Sequence, residues 1–118
     1  MICMTKLCVM IFESPYGREK PYTALRYALT ALVDGHEVTV VLLQDGIFVG
    51  KKGQDPAEYP NHLEYLENAI SEGLKVIVCG VCCNARGLKQ EDLVDGCKIV
   101  GMHEIVDASA NANVSVSF

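Results

Sequence analysis

Residues 6–12, Lys-Leu-Cys-Val-Met-Ile-Phe, form a continuous apolar run bounded by polar residues. Such a run, with no polar alternation, is a strand buried on both faces, the kind a parallel sheet uses. Parallel neighbours need crossover connections, and the rest of the chain supplies them. Residues 14–17 carry strong turn chemistry, and Pro21 suits a first helical turn. Leu25, Ala28, Leu29 and Leu32 then recur at helical spacing up to a stop at Gly35. Residues 37–43 read as a second strand, broken at Gln44-Asp45-Gly46. Residues 47–61 hold Gly50, Gly53, Pro56 and Pro60 and read as a long irregular loop. Leu63, Leu66, Ala69 and Ile70 predict a second helix, stopped at Gly73. Residues 75–79 are a third strand, 80–89 a loop, 90–94 one short helix and 98–100 a short strand. Met102, Ile105, Val106, Ser109 and Ala110 define a last helix. Val114, Val116 and Phe118 alternate with serines, the period of a half-buried strand.

That order predicts an α/β fold: one domain over residues 1–118, with a largely parallel five-stranded sheet and helices on both faces. The length of 118 residues fits one domain, and an apolar fraction of 50% excludes intrinsic disorder. No apolar run reaches the 18 or so residues of a membrane span. The segment before the first strand is too short for a secretory signal. The six cysteines therefore read as reduced thiols, and the expected location is cytoplasmic. A net charge of −5 argues against nucleic acid or anionic lipid as a partner, since phosphate contacts need a basic footprint.

In sheets of this kind ligands bind beyond the carboxyl ends of the strands. Residues 14–20, 45–60 and 80–89 leave those ends, and the last of these loops follows directly on Cys79. Cys79, Cys82 and Cys83 cluster there; Cys3, Cys8 and Cys97 are scattered, and Cys8 reads as a small core residue. Zinc needs four ligands, and the residues available to complete a Cys79–Cys82 pair (Cys83, Cys97, His103) lack ligand spacing. No metal or other cofactor is expected. A thioredoxin-type C-x-x-C would open a helix, whereas Gly87 and a polar stretch follow here. A nucleophilic cysteine fits better, with Arg86 and loop amides as the means of favouring its thiolate. Thiols that merely fill space beneath the loop are the alternative.

The remaining candidates carry less. Residues 46–52 lack the spacing and the Ser or Thr of a phosphate loop. His36, at a helix end, and His62, at a helix start, read as surface residues. His103 has no carboxylate partner beyond its neighbour Glu104, and no Ser-His-Asp arrangement can be argued.

Taken together, the ordered markers resemble the DsrE/DsrF-like sulfur-relay family, and are most similar to its small YchN-like members. The markers are Pro15-Tyr16-Gly17, Gly35-His36-Glu37-Val38, Asp45 with Gly50, Gly53 and Pro56, Cys79-x-x-Cys82-x-x-x-Arg86-Gly87-Leu88, Asp95-Gly96 and the terminal Phe118. The resemblance implies a five-stranded, largely parallel sheet and a homo-oligomer, commonly trimer- or hexamer-like. It also implies a carrier of sulfane sulfur as a cysteine persulfide, served by sulfur donor and acceptor proteins. The position before Arg-Gly that carries the sulfur falls on Cys79, with Cys82 as the second cysteine. Tyr16, Gly17, Asp45, Arg86 and Gly87 would be supporting residues. Cys83 and His103 depart from the pattern. The other reading is a non-catalytic oligomer of the same fold that senses redox state or holds a small ligand.

Overall fold

A computed structural model describes residues 4–118; Cys3 lies outside them. Five strands form one sheet: β1 (Lys6–Ile11), β2 (Glu37–Leu42), β3 (Lys75–Cys79), β4 (Cys97–Val100) and β5 (Val114–Ser117). All neighbours are parallel, in the order β4-β3-β2-β1-β5. Four α-helices connect them: α1 (Lys20–Val33), α2 (His62–Ser71), α3 (Gly80–Arg86) and α4 (Met102–Ala110). The first three crossovers step outward one strand at a time. The last returns across the sheet to set β5 beside β1.

The strand period of two divides the interior. Val9, Ile11, Val38, Val40, Leu42, Val76 and Val78 face the side covered by α1 and α2. Cys8, Val41, Ile77, Cys79 and Val100 belong to a smaller cluster with Ile105 of α4. Helices thus lie on both faces, as the strand–helix alternation predicts. α1 starts on Pro21 and buries Ala24, Leu25, Ala28 and Ala31, one stripe at helical spacing. α2 starts on Asn61, whose side chain accepts from Glu64 N at 3.2 Å, and buries Leu63, Leu66 and Ala69. Leu25, Leu42, Ile47 and Leu66 have no exposed surface. Burial of each such side chain contributes about 1.5–3 kcal/mol.

Four expectations need correction. The segment after Cys79 is not a loop: α3 runs to Arg86 and ends on Gly87, which is left-handed at φ 70°. Residues 44–50 are a 3-10 helix, and the short helix expected at residues 90–94 is a single 3-10 turn, Gln90–Asp92. His62 is fully buried rather than exposed. His36, half-exposed just past the end of α1, accepts at Nδ1 from Thr5 N at 3.0 Å and keeps its place at the surface.

Among the described residues no helix is long and apolar enough to cross a membrane.

Candidate functional site

Cys79 is the last residue of β3 and pairs with Val100 of β4. It turns toward the α4 side, where it is only 3% exposed. The next residue must be small: a Cβ on Gly80 would stand 3.1 Å from the Val100 carbonyl oxygen. α3 therefore begins at once, close against β4. One turn of it carries Cys82 back to pack against the small cluster that holds Cys79. Cys83, about 100° further round the helix, is buried with the α1–α2 core instead. The three clustered thiols thus divide between two faces of the sheet. Among the described residues no three metal-ligating side chains converge.

The 3-10 helix Gln44–Gly50 forms the opposite wall. Gly46 anchors it, since a Cβ there would lie 2.0 Å from the Ile11 carbonyl oxygen. The Gly46 N–H donates to Phe12 O at 3.1 Å. Just before it Gln44 adopts a left-handed backbone, φ 52°. Its N–H donates to Cys82 Sγ at 3.0 Å. Gln44 was not legible as a site residue, because a backbone donor leaves no side-chain signature.

Asp45 and Arg86 close the rim. Arg86 Nε stands 2.9 Å from Asp45 Oδ1, and Arg86 Nη1 donates to Cys82 O at 3.2 Å. Burial pushes the Cys82 thiol above its ordinary range, and the neighbouring Cys79 thiol adds to this. The Gln44 N–H and the Arg86 charge oppose it. Burial also raises Cys83, again against Arg86. Half-buried Cys82 beside buried Cys79 gives a dithiol with one reachable sulfur and one sheltered one. Such a pair can be loaded with sulfur, or be oxidised to a disulfide.

The structure thus brings Cys79, Cys82, Asp45 and Arg86 together, with Gly87 ending the helix that carries Cys82 and Arg86. Tyr16 and Gly17 belong elsewhere. Tyr16, at φ 70°, donates its hydroxyl to Gln54 Oε1 at 2.6 Å and accepts from His62 N at 3.1 Å. Its ring lies 4.3 Å from the His62 ring. Gln54 Nε2 in turn reaches the carbonyls of Phe48, Val49 and Lys51. Tyr16 therefore fastens the long loop and the end of the 3-10 helix, and supports the cysteine site from behind. His103 is exposed on α4.

Comparison with known proteins finds the same fold. The uncharacterized protein MJ0989 of Methanocaldococcus jannaschii is 51% identical over 113 residues, spanning 96% of this chain and 99% of that one. The crystal structure of the ychN protein from E. coli superposes with a TM-score of 0.92 at 26% identity, covering 98% of this chain and all of that one. More distantly, the DsrE protein of Allochromatium vinosum, whose name carries the word sulfurtransferase, is 25% identical over 127 residues, spanning 96% of this chain and 98% of its own. The DsrE/DsrF-like family model matches residues 5–118, nearly the whole length, and the chain belongs to that family.

Proposed function

We propose that this protein is a sulfur carrier: it holds sulfane sulfur as a persulfide on Cys79 and hands it to a partner protein, working as a homo-oligomer in the cytoplasm. One observation carries the reading, the Cys79–Cys82 pair packed together at the carboxyl end of β3 in a chain of this family. Loading is an exchange. The Cys79 thiolate attacks the terminal sulfur of a donor persulfide, a sulfur–sulfur bond forms, and the donor leaves as a thiolate. Delivery is the same step with an acceptor thiolate as the nucleophile. Cys82 offers a second exit. Its thiolate attacks Cys79 Sγ and expels hydrosulfide, so the sulfane sulfur is reduced and the two cysteines are oxidised to a disulfide.

The test is mass spectrometry of protein exposed to a sulfane-sulfur donor. A gain of one sulfur on the peptide holding residues 79–86 is expected in the parent. None is expected in Cys79→Ser, and a longer-lived adduct is expected in Cys82→Ser. Loading that survives Cys79→Ser but not Cys82→Ser reverses the roles. Loading unaffected by either change ends the reading.

The paired thiols also support a redox sensor. In that case oxidant removes two hydrogens to form a Cys79–Cys82 disulfide, and a sulfur donor adds nothing.

A further inference from the structure

We propose that the backbone N–H of Gln44 is a catalytic donor: bonded to Cys82 Sγ, it holds that sulfur as the thiolate that discharges a persulfide on Cys79. The proposal rests on the sulfur-carrier reading above and adds to it the group that governs how fast the store empties.

The strand pattern aims this N–H. Successive N–H groups of a strand point to alternate sides. Leu43 N donates to Ile11 O of β1 at 3.0 Å, so the next N–H turns to the β3 side. There β2 and β3 are paired as far as Leu42 and Val78, and β3 stops one residue later at Cys79. α3 leaves from that point, so no further strand carbonyl faces Gln44. Cys82 Sγ takes the place of that carbonyl, 3.0 Å from Gln44 N. Such a separation is ordinary for an oxygen acceptor and close for the larger sulfur atom.

The backbone conformation serves the same end. Gln44 is left-handed at φ 52°, which is unfavourable for a residue with a side chain. Its side chain is exposed and, among the described residues, makes no hydrogen bond, so it does not fix that conformation. Gly46 does, its N–H bonding to Phe12 O and Leu43 O two residues on. The turn lets the chain swing into the 3-10 helix while the Gln44 N–H stays on the sulfur.

Among the described residues no other backbone amide or cation hydrogen-bonds to Cys82 Sγ. Arg86 directs Nε to Asp45 and Nη1 to the Cys82 carbonyl oxygen. Its charge favours the thiolate through space, whereas the Gln44 N–H acts on the sulfur itself. Both oppose the burial that raises this thiol.

In the discharge step the Cys82 thiolate attacks Cys79 Sγ. A sulfur–sulfur bond forms between the two cysteines, the bond from Cys79 to the sulfane sulfur breaks, and that sulfur leaves as hydrosulfide. The cysteines are oxidised and the sulfane sulfur is reduced, with no outside oxidant. A hydrogen bond is stronger to a charged acceptor than to a neutral one, by enough to raise the thiolate fraction about tenfold. The stabilised thiolate is also a weaker nucleophile, by about threefold. The net gain is about threefold at neutral pH. It reverses once the pH is high enough to ionise Cys82 without help.

Replacing the Leu43–Gln44 peptide bond by an ester removes this N–H and leaves every side chain in place. Two readouts follow: iodoacetamide alkylation of Cys82 from neutral to alkaline pH, mapped by peptide mass spectrometry, and the lifetime at neutral pH of sulfur loaded from a sulfane-sulfur donor. The ester protein should keep the parent's circular dichroism, alkylate Cys82 at higher pH, and hold sulfur about threefold longer. Once both proteins are ionised, its Cys82 should react faster than the parent's. A merely loosened site would react faster at every pH, and that result overturns the proposal. So does an unmoved alkylation profile or an unchanged lifetime. A parent that takes up no sulfur ends the carrier reading and with it the discharge step, while a shifted alkylation profile still identifies the donor, so the two failures are separate. If the ester protein does not fold, amide exchange decides. The Gln44 N–H should exchange at least about tenfold more slowly in the parent than in Cys82→Ala, which lacks the acceptor, and equal rates overturn the proposal.

Discussion

Lowering the pH from 7 to 5 should weaken this protein through one residue, His62. Its ring is fully buried. Nδ1 lies 2.9 Å from the Pro60 carbonyl oxygen, so it carries the proton and donates it. Nε2 is buried without a partner. An imidazolium there would hold a second proton with no acceptor, beside the faces of Tyr16 and Tyr22. Burial lowers the His62 pKa, and the Pro60 carbonyl opposes this only in part. The folded pKa lies below the unfolded value of about 6.5, so the contribution is complete above that pH. As the pH falls, the unfolded chain takes up a proton that the folded chain refuses. Stability then declines by at most about 1.4 kcal/mol per pH unit until the folded pKa is passed. Set against a total of about 5–15 kcal/mol for an ordinary domain, that slope is easily measured. Urea unfolding at half-unit steps from pH 7 to pH 5 reads it directly. His62→Phe keeps an aromatic ring and removes the titration, so subtracting its curve cancels His36, His103 and the carboxylates. Parallel parent and variant curves over that range would refute the account.

Other outcomes follow from the site and the core. Arg86→Ala should raise the pH at which Cys82 reacts with iodoacetamide, because the Arg86 charge favours its thiolate. Asp45→Asn removes an exposed ion pair and should cost less than about 1 kcal/mol in a denaturant titration. Gly46→Ala drives a methyl into the Ile11 carbonyl and should destabilise by about 2 kcal/mol or more, read as a lower unfolding midpoint. Cys97, buried and pushed up to about 12, should resist alkylation at pH 8 until the protein is unfolded.

The sheet was legible because its strands are apolar runs with period-two or unbroken burial, and α1 and α2 because each buries one stripe. α3 was not, because it is seven residues long and buries only Cys83, so no helical period could emerge. The glycines at 46 and 50 looked like loop punctuation. They instead mark close approaches, to the Ile11 carbonyl and to Cys97 Sγ, that let a 3-10 helix sit on the strand ends. His62 looked exposed because its helix start is polar. What buries it is Tyr16, 46 residues earlier, folding over from another loop. The two cysteines and Arg86 were visible as a local motif. Their dependence on Asp45 and the Gln44 N–H joins segments about 40 positions apart, which single-sequence spacing cannot reveal.

The strand order has a consequence for how the chain is made. Lys6 N donates to Asn113 Oδ1 across 107 positions, and β1 receives its second neighbour only when β5 arrives. At roughly 5–20 residues per second, the ribosome needs about 5–20 s to span that interval. For that time the most apolar strand has an open side. A nascent chain stalled before β5 therefore exposes a hydrophobic edge, a natural substrate for a chaperone or a seed for aggregation. Synthesis that slows late in the message should cost this protein more soluble yield than synthesis that slows early.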